Sequence, residues 1–384
     1  MKKIIGKRFD EVFDLQMGKT PDRKNTLYFE GDNVWVSIRD MSNKDICESQ
    51  EHISDDAIVN CAIKKVKAGT VIMSFKLTVG KCAIAAVDLY TNEAIMAFNL
   101  KDGYYIDSSF LYYYLQSYKW QGANKAVMGL TLNKATISKQ IISIPPLPIQ
   151  QKIVAELDKV CLIIEKKKQQ LKELDNLAQA IFYDMFGDPV ENEKGWEVKT
   201  MGEIGTLQRG SGLSKKDLVE NGHPCILYGQ IHTRFGAFTK THIACIPDYL
   251  VNTAKIAHTG DLIMAITSED VEGSCKSTAW LGNYDIAIGS DAAIFRHNQN
   301  GIYISYYTKT KAFYNEKAKF ARGFKVTHIS TKEIATIPIM IPPLSLQQSF
   351  AAKIEAIEKQ KELISRSIKE AQTLFDERMD YWFD

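Results

Sequence analysis

The sequence contains none of the short motifs that mark the common kinds of catalytic site. It has no Gly-x-Gly-x-x-Gly fingerprint after a predicted strand, no His-Glu-x-x-His metal motif, and no Asn- or Asp-Pro-Pro-aromatic motif of amino-methyltransferases. The segment 18–20, Gly-Lys-Thr, lacks the upstream glycine of a phosphate-binding loop, so we interpret it as a turn. Residues 197–199, downstream of Asp188, faintly resemble a metal-dependent nuclease signature. Residues of such common types match that signature by chance in many chains, so we give the match no weight. The sequence therefore predicts a chain that does no covalent chemistry itself.

Cysteine is sparse and unpaired. The seven cysteines include no Cys-x-x-Cys pair and their number is odd, which is typical of reduced core residues in a cytoplasmic protein. One cluster of potential zinc ligands lies within 23 residues and consists of His223, Cys225, His242 and Cys245. Its spacing is not that of the usual zinc sites, and the other half of the chain has no counterpart. We therefore expect these cysteines to pack in an apolar core, and we predict no metal site.

The sequence also lacks a segment suited to entering a membrane. Lys2 and Lys3 are soon followed by further charges rather than by an apolar run, so we do not expect secretion. The longest uncharged run, residues 334–352, contains three prolines, each of which removes a backbone hydrogen-bond donor. We predict a cytoplasmic protein that has no membrane partner. The formal net charge is only +2, so overall charge does not identify a partner.

What the sequence does contain is an internal duplication. The segment 144–151, Ile-Pro-Pro-Leu-Pro-Ile-Gln-Gln, returns 197 positions later as Ile-Pro-Pro-Leu-Ser-Leu-Gln-Gln at 341–348. Upstream, the pattern Glu, Leu, Gln and Gly at 11, 15, 16 and 18 recurs 192 positions later, and 69–73 resembles 260–264. The repeat predicts a globular half, a helix, a second globular half and a second helix. This arrangement is a pseudo-dimer with pseudo-two-fold internal symmetry in one polypeptide.

Each Pro-Pro opens a long helical pattern that ends at an aromatic residue, Phe186 or Phe383. In both patterns apolar residues recur at alternating spacings of four and three residues, which is a heptad repeat. Its first copy is Ile153, Leu157, Val160, Ile164, Lys167, Leu171, Leu174, Ala178, Ile181 and Met185, and the same phase recurs from Phe350 to Trp382. An apolar stripe of this kind usually packs on its own domain, but the duplication favours packing of the two stripes on each other. We predict two long antiparallel helices that form a coiled coil.

The globular halves are predicted to be α/β structure of the α+β type. The β-rich runs, punctuated by Gly, Asn and Asp, are 34–38, 70–74, 82–87, 225–228, 262–267 and 292–296. Residues 109–120 and 304–317 are typical of short helices whose tyrosines lie in the core. The predicted domains are therefore residues 1–143 and 190–340, separated and followed by the helical segments 144–189 and 341–384.

Basic residues concentrate in the turn-like stretches of both halves, where they are candidates for contacts with phosphates. The excess of basic over acidic residues is three in residues 1–143 and two in residues 190–340. Aromatic and polar neighbours in the second half could contact base edges. The candidates are Lys19, Arg23, Lys24, Arg39, Lys76 and Lys81 in the first half, and Arg209, Lys215, Lys216, Tyr228, Gln230, His232, Arg234, Lys276, Arg322 and Lys325 in the second. The alternative is that many of these are ordinary solvated loop charges.

Taken together, the chain resembles the specificity subunit of type I restriction-modification systems over its full length. The resemblance rests on the duplicated Pro-Pro-Leu-x-x-Gln-Gln, the long helix after each copy, and the restart Gly195-Trp-Glu-Val198 with Gly202. The segments 18–21, 69–73 and 260–264 also look like the target recognition domains of that family. Two departures are Gly210-Ser-Gly-Leu-Ser214 in place of a Gly-x-x-Pro turn, and the absence of an equivalent of Trp196 in the first half.

The resemblance implies two target recognition domains that each read one part of a bipartite sequence in double-stranded DNA. It also implies that the helices act as a spacer and as a docking surface for two modification subunits, which methylate adenine with S-adenosylmethionine. Restriction subunits that use ATP and Mg²⁺ join in systems that also cleave, and this chain itself would bind no cofactor. The rival interpretation from another class is a coiled-coil scaffold whose halves bind proteins.

Overall fold

The fold is described from a computed structural model, which covers residues 6–121, 124–126, 129–321 and 326–383. The chain divides into two compact units. Unit 1 comprises residues up to Lys168 and from Arg366 onward, and unit 2 comprises Gln169–Ser365. Each unit therefore contains a globular part and a segment of both long helices. Within the described residues, none of the helices combines the length and the apolar content that crossing a lipid bilayer requires.

Unit 1 is a mixed structure of short strands and helices. Its strands are β1 (Gly6–Arg8), β2 (Phe13–Met17), β3 (Asn33–Val36), β4 (Asp45–Ile46), β5 (Glu51–Ile53), β6 (Val71–Ser74), β7 (Lys76–Leu77), β8 (Cys82–Ala85), β9 (Tyr90–Thr91), β10 (Ile95–Leu100), β11 (Asn124–Ala126), β12 (Gly129–Thr131) and β13 (Ile141–Ser143). Its helices are α1 (Phe9–Val12), α2 (Asp55–Asn60), α3 (Ser108–Ser117), α4 (Lys134–Ser138) and the first part of α5 (Leu147–Phe186), with a 3-10 turn at Thr26–Phe29.

Unit 2 is built from an equivalent series of elements. Its strands are β14 (Glu197–Thr200), β15 (Gly205–Arg209), β16 (His223–Ile226), β17 (Phe238–Thr239), β18 (Ala244–Ile246), β19 (Lys255–Ala257), β20 (Leu262–Ala265), β21 (Thr267–Ser268), β22 (Ser277–Trp280), β23 (Ile286–Ile288), β24 (Ala292–His297), β25 (Thr327–His328) and β26 (Pro338–Ile341). Its helices are α6 (Met201–Ile204), α7 (Tyr228–Thr233), α8 (Gly301–Tyr307), α9 (Lys311–Ala318), α10 (Thr331–Ala335) and the first part of α11 (Leu344–Phe383), with 3-10 turns at Lys215–Asp217 and Asp248–Thr253.

The duplication extends to the order of the strands. The main sheet of unit 1 has the order β2-β10-β6-β8-β4, and that of unit 2 has the order β15-β24-β20-β22-β17. In both sheets the last pair is parallel and the other pairs are antiparallel. Both sheets bury alternating apolar residues against a helix, α3 in unit 1 and α8 in unit 2. The predicted α+β class and internal repeat are confirmed.

The long helices begin and end where the sequence predicted. Each has 40 residues, about 60 Å at 1.5 Å per residue, and each starts directly after its Pro-Pro pair. The first helix stops at Gly187, which has a φ of +78° and donates its N–H to the Tyr183 carbonyl over 2.8 Å. The Trp196 indole donates to the Phe186 carbonyl over 2.8 Å, and the Lys194 ammonium donates to that of Asp184 over 2.5 Å. The restart after the helix therefore satisfies its last carbonyls.

The predicted heptad seam is the buried side of both helices. Every seam position from Ile153 to Met185 and from Phe350 to Trp382 is buried or half-buried, including the lysines that interrupt it. In unit 1 the beginning of α5 meets the end of α11, because Glu156 accepts hydrogen bonds from Arg378 and Trp382 over 2.9 and 3.1 Å. In unit 2 the end of α5 meets the beginning of α11, and Lys361 lies 2.7 Å from Asp175. These contacts make the pair antiparallel, as predicted.

Two sequence predictions of shorter elements were wrong. Residues 304–317 form two helices rather than one, because the Thr310 hydroxyl accepts from the Phe313 N–H and begins α9. The strand predicted at 225–228 ends at Ile226, because the Gln230 side chain accepts from the Leu227 N–H over 3.1 Å and begins α7. Both errors come from side-chain capping that an apolar pattern does not reveal.

A buried glutamine explains why the Gln-Gln motif is duplicated. Gln150 is fully buried; its amide N–H₂ donates to the Tyr105 and Pro145 carbonyls over 3.1 and 2.9 Å, and its oxygen accepts from the Asp107 N–H over 2.8 Å. Asp107 in turn caps α3. The side chain therefore fixes the first turn of α5 to the start of α3 and to the Pro-Pro segment.

Gln347 makes the equivalent set of bonds in unit 2. Its amide donates to the Pro342 carbonyl over 2.9 Å and to the Gln299 side chain over 2.8 Å, and its oxygen accepts from the Asn300 N–H over 2.9 Å. Asn300 caps α8, just as Asp107 caps α3. Each long helix thus starts in an orientation that its own globular part determines.

We predict that Gln347→Leu lowers the free energy of unfolding of unit 2 by about 3 kcal/mol, because each buried partner left unsatisfied costs about 1–3 kcal/mol. Gln348→Leu is the matched control, since its side chain is exposed and a surface change should stay within about 0.5 kcal/mol. Urea unfolding followed by circular dichroism measures both. Equal effects of the two substitutions would contradict the role given to Gln347.

Candidate nucleic-acid interface

Strand register identifies equivalent positions in the two units. In unit 1, Trp35 pairs antiparallel with Glu51 and parallel with Tyr90. In unit 2, Cys225 pairs antiparallel with Ala244 and parallel with Ala287. Trp35 and Cys225 are therefore equivalent, and the turn after β3 is equivalent to the start of α7.

Side-chain hydrogen bonds support this equivalence. The Asp40 side chain accepts a hydrogen bond from the Ser37 N–H over 2.8 Å. The Gln230 side chain likewise accepts from the N–H of the residue three positions earlier, Leu227. Lys81 donates from Nζ to the Ile38 carbonyl over 3.0 Å in unit 1. In unit 2, Lys276 donates to the His232 carbonyl over 2.7 Å. In both units a half-buried lysine thus ties a hairpin to the turn after β3 or to the equivalent helix α7. The hairpin follows β6 in unit 1 and β20 in unit 2, so the two units present two equivalent surfaces.

The unit 1 surface, which we call the turn-hairpin surface, consists of Ile38, Arg39, Lys76, Leu77 and Lys81. Arg39 is exposed on the turn, and Lys76 lies half-buried on the hairpin with Nζ 5.4 Å from the centre of the Phe75 ring. Leu77 is exposed with a φ of +66°, a conformation that costs energy for a residue other than glycine. Three of the predicted site residues therefore belong to this turn and hairpin, which the Lys81 hydrogen bond to the Ile38 carbonyl joins.

The unit 2 surface is a groove of about 1080 Å³. Tyr228 and His232 of α7 line one side, and β21 with the following loop lines another. The rings of Tyr228 and His232 meet edge to face at 6.0 Å, and His232 Nε2 lies 3.1 Å from the Thr267 carbonyl. Lys276 also lines the groove, so three predicted site residues are brought together here as well.

Residues that the sequence interpretation missed complete the groove. Lys309 lines it from the turn between α8 and α9, Lys311 and Tyr314 line it from α9, and Tyr183 lines it from α5. The turn was hidden because the sequence was interpreted as one continuous helix there. A threonine immediately before Lys311 is a helix-start signal that could have revealed it.

The groove is mixed in charge rather than uniformly basic. Glu269, Asp270 and Glu272 line it beside the lysines. Lys317 is buried and donates from Nζ to the carbonyls of Glu272 and Ser274 over 2.8 and 2.6 Å, so it shapes the acidic loop. Burial lowers the pKa of this ammonium group. Carboxylates can accept from a cytosine amino group, but they repel phosphates, so the groove suits base edges better than the DNA backbone.

Two predicted arginines of unit 1 share one carboxylate. The two terminal guanidinium nitrogens of Arg23 pair with Glu51, with Nη2 3.0 Å from Oε2, and Arg39 Nη2 lies 3.2 Å from the same Oε2. The guanidinium carbon of Arg23 lies 4.4 Å above the centre of the Phe29 ring and 5.2 Å from that of Trp35. Both side chains are exposed, Arg23 to 52% and Arg39 to 66%, but Arg23 is held by the aromatic rings as well as by the carboxylate.

The other predicted residues lie apart from these two surfaces. Lys19 donates to the Cys61 carbonyl over 2.6 Å, and Arg209 donates to that of Ser290 over 2.8 Å. The Gln230 side chain caps α7. The exposed remainder is Lys24, Lys215, Lys216 and Arg234. Arg322 and Lys325 lie outside the described residues.

The potential zinc ligands of unit 2 do not form a cluster. Cys225 and Cys245 lie in adjacent strands and are buried, and burial raises the pKa of the Cys225 thiol to about 12. His242 is turned to Tyr284, with Nδ1 2.6 Å from the hydroxyl. Among the described residues, no three His, Cys, Asp or Glu side chains are grouped so that they could hold a metal ion.

Comparison with solved structures places this fold among S subunits. An S subunit of a type I restriction-modification system from M. genitalium superposes with a TM-score of 0.55 and 13% identity, covering 99% of this chain and 96% of that one. A chain from a study of complex assembly and conformational transition of the type I R-M system gives a TM-score of 0.61 and 18% identity, covering 100% and 99%. At this level of identity the likeness concerns the fold.

Sequence relatives point the same way. The MjaIX specificity subunit of Methanocaldococcus jannaschii is 28% identical over 234 residues, which are 55% of this chain and 54% of that subunit. The EcoprrI specificity subunit of Escherichia coli is 26% identical over 239 residues, 57% of this chain and 58% of the relative. The chain thus spans little more than half the length of these relatives.

A family model described as the type I restriction modification DNA specificity domain matches the chain twice, at residues 3–176 and 193–373. The two matches coincide with the two copies of the internal repeat, each with its globular part and long helix. Because they cover nearly the whole sequence, the chain belongs to the type I restriction-modification DNA specificity domain family.

Proposed function

We propose that the chain is the sequence-specific DNA-binding component of a type I restriction-modification complex, and that each half reads one part of a bipartite target. The observation that carries this proposal is the repeated surface. In each half an equivalent lysine joins a hairpin to a turn or helix, and this same framework presents different side chains in the two halves. A protein that reads two unlike half-sites needs the same framework twice with different contact residues.

The domain division predicted from the sequence supports a separation of tasks. Target recognition would belong to residues 1–143 and 190–340, and spacing to the helical segments 144–189 and 341–384. A continuous helix of 40 residues is a stiff element, and its length would set the number of base pairs left unread between the half-sites. Phosphate contacts would supply affinity, while the turn-hairpin surface and the groove would supply sequence choice.

The helices would also dock two modification subunits. Leu177 and Leu374 are 48% and 43% exposed and are separated by 197 residues, so they are equivalent in the repeat. Leu147 and Leu344 form a second exposed pair with the same separation. Exposed leucines at equivalent positions of the repeat suit two copies of one partner.

The chemistry would belong to the partners. Modification subunits would supply S-adenosylmethionine and the methyl-transfer site, and restriction subunits, in a system that cleaves, would use ATP and Mg²⁺. This chain would bind none of these cofactors and would act in the cytoplasm as a non-catalytic subunit. The rival function is a coiled-coil scaffold whose halves bind proteins, and a salt titration distinguishes the two functions.

We predict that binding of the complex with its modification subunits to target duplex weakens steeply with salt, with a log-log slope of about −0.9 for each phosphate contact. Lys215→Gln with Lys216→Gln should make the slope shallower by about two if both lysines contact phosphates. The control is Lys166→Gln with Lys168→Gln, which removes two exposed charges of α5. Fluorescence anisotropy between about 50 and 200 mM salt measures both slopes. Affinity that ignores salt would favour the protein scaffold.

Exchange of residues 1–143 for the same half of a related chain should alter one half-site and leave the other unchanged. The physical reason is that each half has its own core and presents its own surface. Methylome sequencing of cells that express the exchanged chain with its modification subunit identifies both half-sites. A change in both half-sites at once would show that the halves do not read DNA independently.

We expect Leu177→Ser and Leu374→Ser each to remove one modification subunit from the purified complex, and the double substitution to remove both. Replacing a buried leucine at an interface by a polar residue should cost a few kcal/mol of binding, about 100-fold in affinity. Leu363→Ser is the matched control, because Leu363 is more exposed at 56% but its equivalent in the repeat is Lys166. Native mass spectrometry counts the bound subunits. Loss of a subunit from the Leu363 variant alone would place the docking surface elsewhere.

A further inference from the structure

The Arg39 side chain is exposed to solvent but is restrained by an ion pair. It is 66% exposed, yet Nη2 lies 3.2 Å from Glu51 Oε2. Among the described residues, Glu51 is the one hydrogen-bond acceptor of the Arg39 side chain. Most of the five N–H donors of Arg39 are therefore left for solvent or a ligand. A long exposed side chain normally samples many rotamers, and the carboxylate reduces that freedom.

Glu51 is itself held by a second arginine, Arg23, which shares its Oε2 with Arg39. The two terminal guanidinium nitrogens of Arg23 donate to its two oxygens, and the Arg23 guanidinium group lies against the rings of Phe29 and Trp35. The Arg23 hydrogen bond, followed by the charges of both arginines, keeps the pKa of Glu51 below its usual value, although partial burial opposes this. The carboxylate is therefore ionised at neutral pH and cannot follow Arg39 if that side chain moves.

The backbone that carries Arg39 is also tied to the strand that carries Glu51. Asp40 accepts from the N–H and hydroxyl of Ser37 over 2.8 and 2.7 Å, and from the Gln50 N–H over 3.0 Å. Burial raises the pKa of Asp40, but these hydrogen bonds outweigh it and the pKa lies below its usual value. The turn and the start of β5 thus form one rigid support for an arginine, as a recognition site requires.

The negative charge of Glu51 determines which part of DNA Arg39 can bind favourably. A phosphate close to Arg39 would also lie close to Glu51 and be repelled by it. A guanine presents two uncharged acceptors, O6 and N7, which match the paired donors of a guanidinium group. We propose that Arg39 reads a guanine in the first half-site, and that Glu51 is the positioning residue that holds its guanidinium group in the required orientation.

This contact would be confined to one half of the target. By strand register, Gly229 is equivalent to Arg39 and Ala244 is equivalent to Glu51, so unit 2 has neither partner at these positions. Unit 2 presents Tyr228 beside its groove instead. The proposal rests on the proposed function, since it assumes that the turn-hairpin surface faces DNA.

The test uses the complex of the full chain with its modification subunits and a set of duplexes, each with one base pair of the target replaced. The wild type should prefer guanine at one position of the first half-site by roughly 5- to 150-fold. Arg39→Ala should reduce that preference to near one and leave every other position unchanged. Arg39→Lys should weaken that preference, because an ammonium group can donate to O6 and N7 but lacks the planar fork of the guanidinium group.

Glu51→Gln separates positioning from charge. If Glu51 positions Arg39, its loss should reduce the preference at the same base pair several-fold and leave the second half-site intact. If Glu51 acts only by its charge, the variant should bind every duplex more tightly to the same extent, which would overturn the positioning role. Arg8→Ala is the control, since Arg8 is also exposed and paired with a carboxylate, that of Asp10, but lies on β1 away from this surface. It should change no base preference.

Two further results would overturn the assignment of Arg39. A uniform loss of affinity over all duplexes, with a salt slope shallower by about one, would identify a phosphate contact instead. Unchanged preferences and affinity in both Arg39 variants would show that this surface does not meet DNA. If the wild-type complex itself prefers no base sequence, the proposed function fails with it. Thermal melting of each variant shows whether it has folded.

Discussion

The buried amide at the start of each long helix is the interaction on which the rest of the architecture depends. Gln150 and Gln347 each bind a Pro-Pro carbonyl and the N–H of a residue that caps the neighbouring domain helix. An amide can donate and accept at once, so a single side chain joins three segments that apolar packing alone would leave free to slide. The direction in which each helix leaves its globular part is therefore set within that part.

Duplication then separates what is constant from what varies. The sheet order, the amide at the helix start and the lysine that supports the turn or helix are the same in both units. The side chains on that support differ: Arg39 held by Glu51 in one half, and Tyr228 beside a mixed-charge groove in the other. A recognition subunit gains from this division, because contact residues can change without disturbing the core that positions them.

The candidate site could be predicted only in part from the sequence. Arg39, Lys76 and Tyr228 lie exposed or half-exposed on the two equivalent surfaces, while Lys81, Lys276 and Gln230 each make a hydrogen bond within the protein that supports the local fold. Composition cannot distinguish these classes, since a lysine that supports a turn and one that meets a phosphate both occur in polar loops. Lys309 and Tyr183 were missed because distant segments bring them to the groove. The DNA contacts themselves stay predictions.

The sequence by itself determined the duplication, the bounds of both helices and the face that each helix buries, because these depend on local signals: the Pro-Pro stop, the glycine after Phe186 and heptad periodicity. Tertiary structure alone decided which loops come together and which charges are already neutralised. Glu51 meets both arginines because β5 pairs with β3, and Ala244 takes its place in unit 2 because β18 pairs with β16. Such pairings follow from long-range register, which no local pattern in the sequence encodes.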